Sequence, residues 1–163
     1  SWEYLRKESD KLLSLIRELR TEDSGLFKEF LASLSPKTIR SFSFHPLPED
    51  YGDNFLKRKD IACFVAEIEG KIVGYTWWEP SSAPIPTIGI CVRDEYQGNG
   101  IGKSLLSKLI EEAKARGKSG LRLTVSKENE IALSLYRKAG FQIIGEYRDS
   151  KGINYIMKLS FSP

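Results

Sequence analysis

The sequence predicts a mixed α and β fold of the α+β class, and three observations carry that reading. Apolar residues recur at helical spacing in some stretches and at strand spacing in others, with no internal repeat or low-complexity segment. A chain of 163 residues, 40% hydrophobic and 29% charged, has the size and balance of a single domain over 1–163. A glycine-rich stretch, Gln97-Gly98-Asn99-Gly100-Ile101-Gly102-Lys103-Ser104, joins a strand-like run to a helix-like one.

In chain order, Leu13 to Arg20 reads as a first strand. Thr21-Glu22-Asp23-Ser24 then reads as a cap with acidic first-turn residues for a helix to about Leu34. Ser35-Pro36 repeats the cap-plus-proline signature of a helix start. Phe42 to Asp53, rich in proline, aromatics and turn residues, reads as a loop flanked by short helices. Ile61 to Ile68 and Lys71 to Glu79 form a hairpin around Glu69-Gly70, and Thr87 to Arg93 is a short strand after the Pro80 to Pro86 loop. Ile101, Leu105, Leu106, Leu109, Ile110 and Ala113 mark one face of a helix over Ile101 to Arg116. Leu121 to Val125 is a strand, and Asn129 to Lys138 is a helix closed by Gly140. Phe141 to Tyr147 and Ile153 to Leu159 are two last strands around Lys151-Gly152. The order β, α, α, β, β, β, α, β, α, β, β contains seven strands.

Composition excludes several classes. The longest unbroken apolar run, Ile61 to Ala66, falls far short of the roughly 20 residues that span a bilayer, so neither a membrane partner nor a secretory segment is expected. A net charge of +3 from 25 basic and 22 acidic residues comes without a dense basic block, so nucleic acid is not expected as a partner. Cys63 and Cys91 lie in apolar strand runs, as buried free thiols of a cytoplasmic protein would. With His45 the only histidine, no metal site is expected.

The glycine stretch fits neither of two familiar phosphate loops. A mononucleotide loop ending at Gly102-Lys103-Ser104 needs glycine at 97, which is Gln97. A dinucleotide fingerprint from Gly98 needs glycine at 103, which is Lys103, and Glu111 and Glu112 come too early for its ribose acid. Glycines at 98, 100 and 102 still let main-chain N–H groups approach an anion at the positive end of a helix, although a tight turn would use the same glycines. Asn129 and Tyr136 are seven residues apart, nearly two helical turns, so they share a face about 10 Å long with Ala132 and Leu133 between them. A capping asparagine and an ordinary amphipathic tyrosine would look the same.

Together these two stretches resemble the GNAT N-acetyltransferase superfamily. Gln97 to Gly102 matches its Q/R-x-x-G-x-G/A signature, and Leu123 to Phe141, LTVSKENEIALSLYRKAGF, matches its V…N-x-x-A-x-x-L-Y-x-K-x-G-F pattern. The resemblance is firm over Thr87 to Phe141 and absent from the first dozen residues. It implies a mostly antiparallel sheet of about seven strands, splayed between the fourth and fifth, with helices on both faces. It also implies acetyl-CoA as co-substrate and an amine acceptor, in a monomer or homodimer. Backbone groups of Ile90, Cys91 and Val92 would then hold the pantetheine arm and acetyl carbonyl, and Gln97, Gly98, Asn99, Gly100, Ile101, Gly102 and Lys103 the pyrophosphate. Asn129 would contact the cofactor arm, and Tyr136 would be the catalytic acid beside the sulfur.

The ribosomal-protein alanine acetyltransferases of this superfamily carry a glutamate base five residues before the asparagine, where this chain has Thr124. Glu79, Glu67 and His45 are other titratable candidates, and none is assigned. Cys91 has no histidine partner, so direct attack by the amine is expected rather than an acyl-enzyme. Acceptor recognition is expected from Phe42, Phe44, His45, Tyr51, Trp77 and Trp78, with the two tryptophans on opposite faces of their strand. A non-catalytic acetyl-CoA sensor is the alternative within this resemblance, and an NTP-binding switch, lacking Mg²⁺ ligands and the shifted glycine, is the alternative outside it.

Overall fold

A computed structural model describes residues 2–42 and 46–162. Its elements are α1 (Trp2–Ser14), β1 (Ile16–Glu18), α2 (Ser24–Ser33), α3 (Pro36–Arg40), α4 (Tyr51–Lys57), β2 (Ala62–Ile68), β3 (Lys71–Glu79), β4 (Thr87–Val92), α5 (Ile101–Ala115), β5 (Gly120–Ser126), α6 (Glu130–Lys138), β6 (Gln142–Asp149) and β7 (Gly152–Ser160). The strands form one sheet of seven in the order β1-β2-β3-β4-β5-β7-β6, antiparallel except for the β4–β5 pair. Mixed class, strand number and mostly antiparallel pairing are as expected.

Local chemistry sets the turns and caps. Glu69 and Gly70 both have positive φ, 51° and 76°, which suits the right-handed twist of the β2–β3 hairpin. Ser35 accepts the Thr38 N–H at 3.2 Å to cap α3, with Pro36 in its first turn. Gly140, at φ 103°, reverses the chain after α6.

Two stretches depart from the sequence reading. Leu13 and Ser14 end a helix rather than begin a strand, and β1 keeps only Ile16 to Glu18. The run LLSLIREL is apolar enough for either state, and its first part goes helical because Leu12 and Leu13 pack on the core beside α5. At the other departure, α4 begins at Tyr51, inside the segment expected to be loop.

The sheet has a core on each face. On one, α5 and α6 bury Leu105, Leu109, Leu133 and Tyr136 against Trp78, Leu121, Leu123 and Met157. On the other, α2 and α4 pack Phe27, Phe30 and Phe55 around Tyr75, whose ring meets each of theirs at 5.4–5.8 Å. Trp77 joins this aromatic cluster and Trp78 the opposite one, as alternation requires.

At the sheet edge Arg17 links β1 to its neighbours through Asp23 at 2.7 Å and Glu67 at 2.6 Å. The Arg17 hydrogen bonds hold the buried Asp23 carboxyl below its usual range, against the opposing effect of burial. A depressed carboxyl pKa adds stability above the unfolded value, about 3.9, and that stability is lost as pH falls through the folded value. Melting temperature should therefore drop as pH is lowered below about 4, and Asp23→Asn should cost about 1–3 kcal/mol at neutral pH and flatten the acid limb, which thermal melts across pH will check.

Candidate acetyl-transfer site

The site begins where the sheet comes apart. β4 and β5 pair only at Thr87↔Arg122, with the Arg122 N–H donating to the Pro86 carbonyl at 2.9 Å. Beyond that bridge β4 stays paired to β3 as far as Gly74↔Val92, and β5 stays paired to β7 along its whole length. The gap expected between the fourth and fifth strands is therefore present.

The phase of the β3–β4 ladder determines which main-chain groups face this gap. Arg93 N–H donates to Val73 O at 2.7 Å, and Thr76 Oγ1 donates to Gly89 O at 2.8 Å, so residues 89, 91 and 93 aim their backbone at β3. Alternation then turns the backbone of Ile90 and Val92 toward the gap. The Val92 carbonyl accepts from Gln97 Nε2 at 3.0 Å. Its N–H, with the N–H and C=O of Ile90, has no strand to pair with. Cys91, in contrast, turns its backbone to β3 and its thiol into the aromatic cluster, where burial pushes the thiol up to about 12.

The glycine loop follows at once. Gly98 and Gly100 take φ of 83° and 82°, conformations that L side chains rarely adopt. Gly102 lies in the first turn of α5, and a Cβ there would meet Val92 Cγ2 at 3.8 Å and Leu135 Cδ2 at 3.9 Å. Strand β4, the start of α5 and the middle of α6 thus meet at this glycine. Gly100 caps α5 without a side chain, which leaves the N–H groups of Ile101, Gly102 and Lys103 uncapped at the positive helix end. Asn99 Nδ2 bonds the Tyr96 carbonyl at 3.4 Å, and the side chains from Gln97 to Gly100 are exposed.

A bracing network not visible in the motif holds this loop. Asp94 accepts from Ser35 N at 3.1 Å and from Thr38 Oγ1 at 3.1 Å, and Gln97 Nε2 also donates to Thr38 Oγ1 at 3.2 Å. Arg93, buried, pairs with Glu29 of α2 and donates to the Ile72 carbonyl at 2.9 Å, which pins the end of β4. These partners lie 21 to 64 residues away in sequence, so no local spacing reveals them.

Asn129 caps α6, its Oδ1 accepting the Ala132 N–H at 3.2 Å, which leaves its amide nitrogen for another partner. Tyr136 is 8% exposed with its ring 5.7 Å from Phe141, and burial pushes its hydroxyl up to about 12, so it stays protonated at neutral pH. Alongside, a groove of about 1020 Å³ runs between α5 and α6 and is lined by Lys103, Ile110, Ile131, Leu135 and Lys138 among others. It lies beside the gap rather than in it, and Lys103 belongs to both the groove and the loop.

On the other face Trp77 lies flat over Gly89, where any Cβ would clash with its ring, and stacks on Tyr75 at 4.6 Å with Phe42 edge-on at 6.1 Å. Tyr51 reaches this cluster through Phe55, at 5.9 Å. Phe44 and His45 lie outside the described residues. Glu79 is paired with Arg58 at 3.3 Å and Glu67 with Arg17, so both carboxylates have structural partners, and Thr124 is exposed. Among the described residues no cluster of His, Cys, Asp or Glu comes together as a metal site, and no helix is long and apolar enough to cross a membrane.

The sequence model of the acetyltransferase (GNAT) family matches residues 27–141. The chain belongs to the acetyltransferase (GNAT) family. A Bacillus subtilis protein provisionally named a ribosomal protein bS18 alanine N-acetyltransferase is 32% identical over 136 residues, 81% of this chain and 83% of that one. A GNAT-family acetyltransferase from Streptococcus pneumoniae superposes with a TM-score of 0.77 at 28% identity, over 91% of this chain and 99% of that one. Salmonella typhimurium yncA, solved with its cofactor acetyl-CoA, shares the fold at a TM-score of 0.75 and 21% identity, over 91% of this chain and 94% of that one. The match spans about half the length or less of several other curated relatives, 42% and 50% in two of them.

If the glycine loop seats an anion, then Gly100→Val, which adds a branched side chain at φ 82°, should weaken CoA binding by about tenfold or more, since the substitution strains the backbone by about 1–3 kcal/mol. Calorimetric titration of the variant, checked for a parental fold, measures this, and unchanged affinity would make the loop only a turn.

Proposed function

We propose that the chain, acting as one domain over 1–163 in the cytoplasm, moves an acetyl group from acetyl-CoA to a primary amine on a small molecule or peptide, by direct attack in a ternary complex. The observation that carries this reading is the Val92 N–H and the Ile90 N–H and C=O, unpaired by any strand and opening beside an uncapped helix start. Donors fixed by a ladder on their other side need no reorganisation to meet an acyl oxygen, and the α5 N–H groups suit the pyrophosphate. The apolar groove rimmed by Lys103 and Lys138 offers a place for the nucleotide end.

Bound acetyl-CoA supplies a thioester whose carbonyl oxygen gains negative charge during transfer and whose sulfur leaves as a thiolate. Ile90 and Val92 N–H groups stabilise that oxygen. The Tyr136 hydroxyl, held protonated by burial, gives its proton to the sulfur. Asn129 orients the cofactor arm with the amide nitrogen left over from capping. Trp77, Phe42 and Tyr51 wall the acceptor side. Because Glu67 and Glu79 are held by arginines and Thr124 does not titrate, the neutral amine attacks, the proton it sheds on forming the amide returns to the Tyr136 oxygen that has protonated the sulfur, and the rate should rise with pH toward the acceptor's own pKa, about 8 for a peptide amino terminus and about 10 for a lysine.

Tyr136→Phe keeps the ring against Phe141 and removes only the hydroxyl. Turnover should fall by about 10²- to 10⁴-fold while acetyl-CoA affinity and melting temperature stay near parental. A thiol-release assay over a panel of amines, with single-turnover kinetics to separate chemistry from product release, is the measurement. A stable variant that binds and turns over like the parent would remove Tyr136 from the mechanism.

A further inference from the structure

β6 ends the sheet, and within it pairs with β7 alone. The opposite edge, β1, is only three residues long, whereas β6 runs for eight and exposes Ile143, Ile144 and Tyr147 at 39%, 54% and 41%. Long exposed edges are what folded proteins ordinarily shorten, charge or cover, because their unpaired N–H and C=O groups recruit another strand. A bulge at Ile144 breaks the first part of this edge, and Gly145 to Asp149 is regular.

The ladder phase shows which groups face outward. Lys127 N–H donates to Ile153 O at 2.9 Å, so Ile153 aims at β5, and the alternate residues Asn154 and Ile156 aim at β6. Their partners Tyr147 and Gly145 aim back at them, which turns the N–H and C=O of Glu146 and Arg148 away from the sheet. In a two-fold antiparallel pairing, outward residues must meet outward residues. Placing Tyr147 on the axis sets Glu146 opposite Arg148 of the partner subunit at both ends, whereas an axis at Glu146 sets like charges face to face. Among the described residues neither Glu146 nor Arg148 has an ion pair within its own chain.

We propose that β6 is a self-association edge, where a second copy of this chain pairs with the first about a two-fold axis at Tyr147 through reciprocal Glu146–Arg148 contacts. The occupant is a second copy because this edge is complementary to itself in both backbone phase and charge. Each Glu146–Arg148 pair exchanges main-chain hydrogen bonds as well as charge, and the shortness of the regular segment places the dimer in the weak class, below about 1,200 Å² of buried surface.

Sedimentation velocity over a concentration series tests this without reference to activity. The parent should shift reversibly from the 18.5 kDa monomer toward twice that mass. Glu146→Arg and Arg148→Glu should each weaken association by about tenfold, with near-parental melting temperatures because both side chains are exposed. The double variant, which restores opposite charges with the sign reversed, should recover parental association. A parent monomeric at every attainable concentration, single variants that associate like the parent, or a double variant no better than the singles would each overturn the proposal.

Discussion

The site depends on one backbone bridge. Thr87↔Arg122 is the only register pair between two strands that are each bound firmly to another neighbour. Parallel neighbours would normally continue their hydrogen bonds, and a strand left half-paired in a sheet centre would be costly. Here β4 keeps a complete ladder to β3, and buried Arg93 fixes its end to α2 and to the Ile72 carbonyl. β5 is committed to β7. The two halves of the sheet can therefore part without either strand losing its place, and the Val92 N–H and the Ile90 N–H and C=O are left without a strand partner.

What surrounds the gap follows from that parting. The chain leaves β4 and must enter α5 at once, and positive φ at Gly98 and Gly100 makes the turn. The absent side chain at Gly102 lets Val92 and Leu135 close over the helix start. Gln97, whose side chain ties Val92 O to Thr38, connects this loop to α3, and α3 leads toward Phe42 and the aromatic wall. The glycine loop and the aromatic cluster are thereby joined through a few polar contacts.

The legible parts of the sequence were those fixed by short-range rules. The α5 stripe, the Asn129 cap, the Gly140 stop and the two hairpins are each set by residues within a turn or two of one another, and they lie where the pattern put them. The start of the chain was not legible, because Leu12 and Leu13 take their state from α5, about a hundred residues later. Family resemblance pointed to Ile90, Cys91 and Val92 as a group. Only the ladder phase separates them, turning Cys91 toward β3 and its neighbours toward the gap. Asp94, Thr38 and Arg93 carry no local signal, since their partners are distant in sequence. The edge at β6 could be recognised only once strand order was known, as nothing in QIIGEYRD says that no strand lies beside it.

Amide hydrogen exchange at single-residue resolution is the most direct test of the gap. Without ligand, the Ile90 and Val92 amides should exchange much faster than that of Cys91, which is bonded into β3. Added acetyl-CoA should slow Ile90 and Val92 selectively. Strong protection of both amides in the free protein, or exchange at these two positions that acetyl-CoA leaves unchanged, would contradict the account.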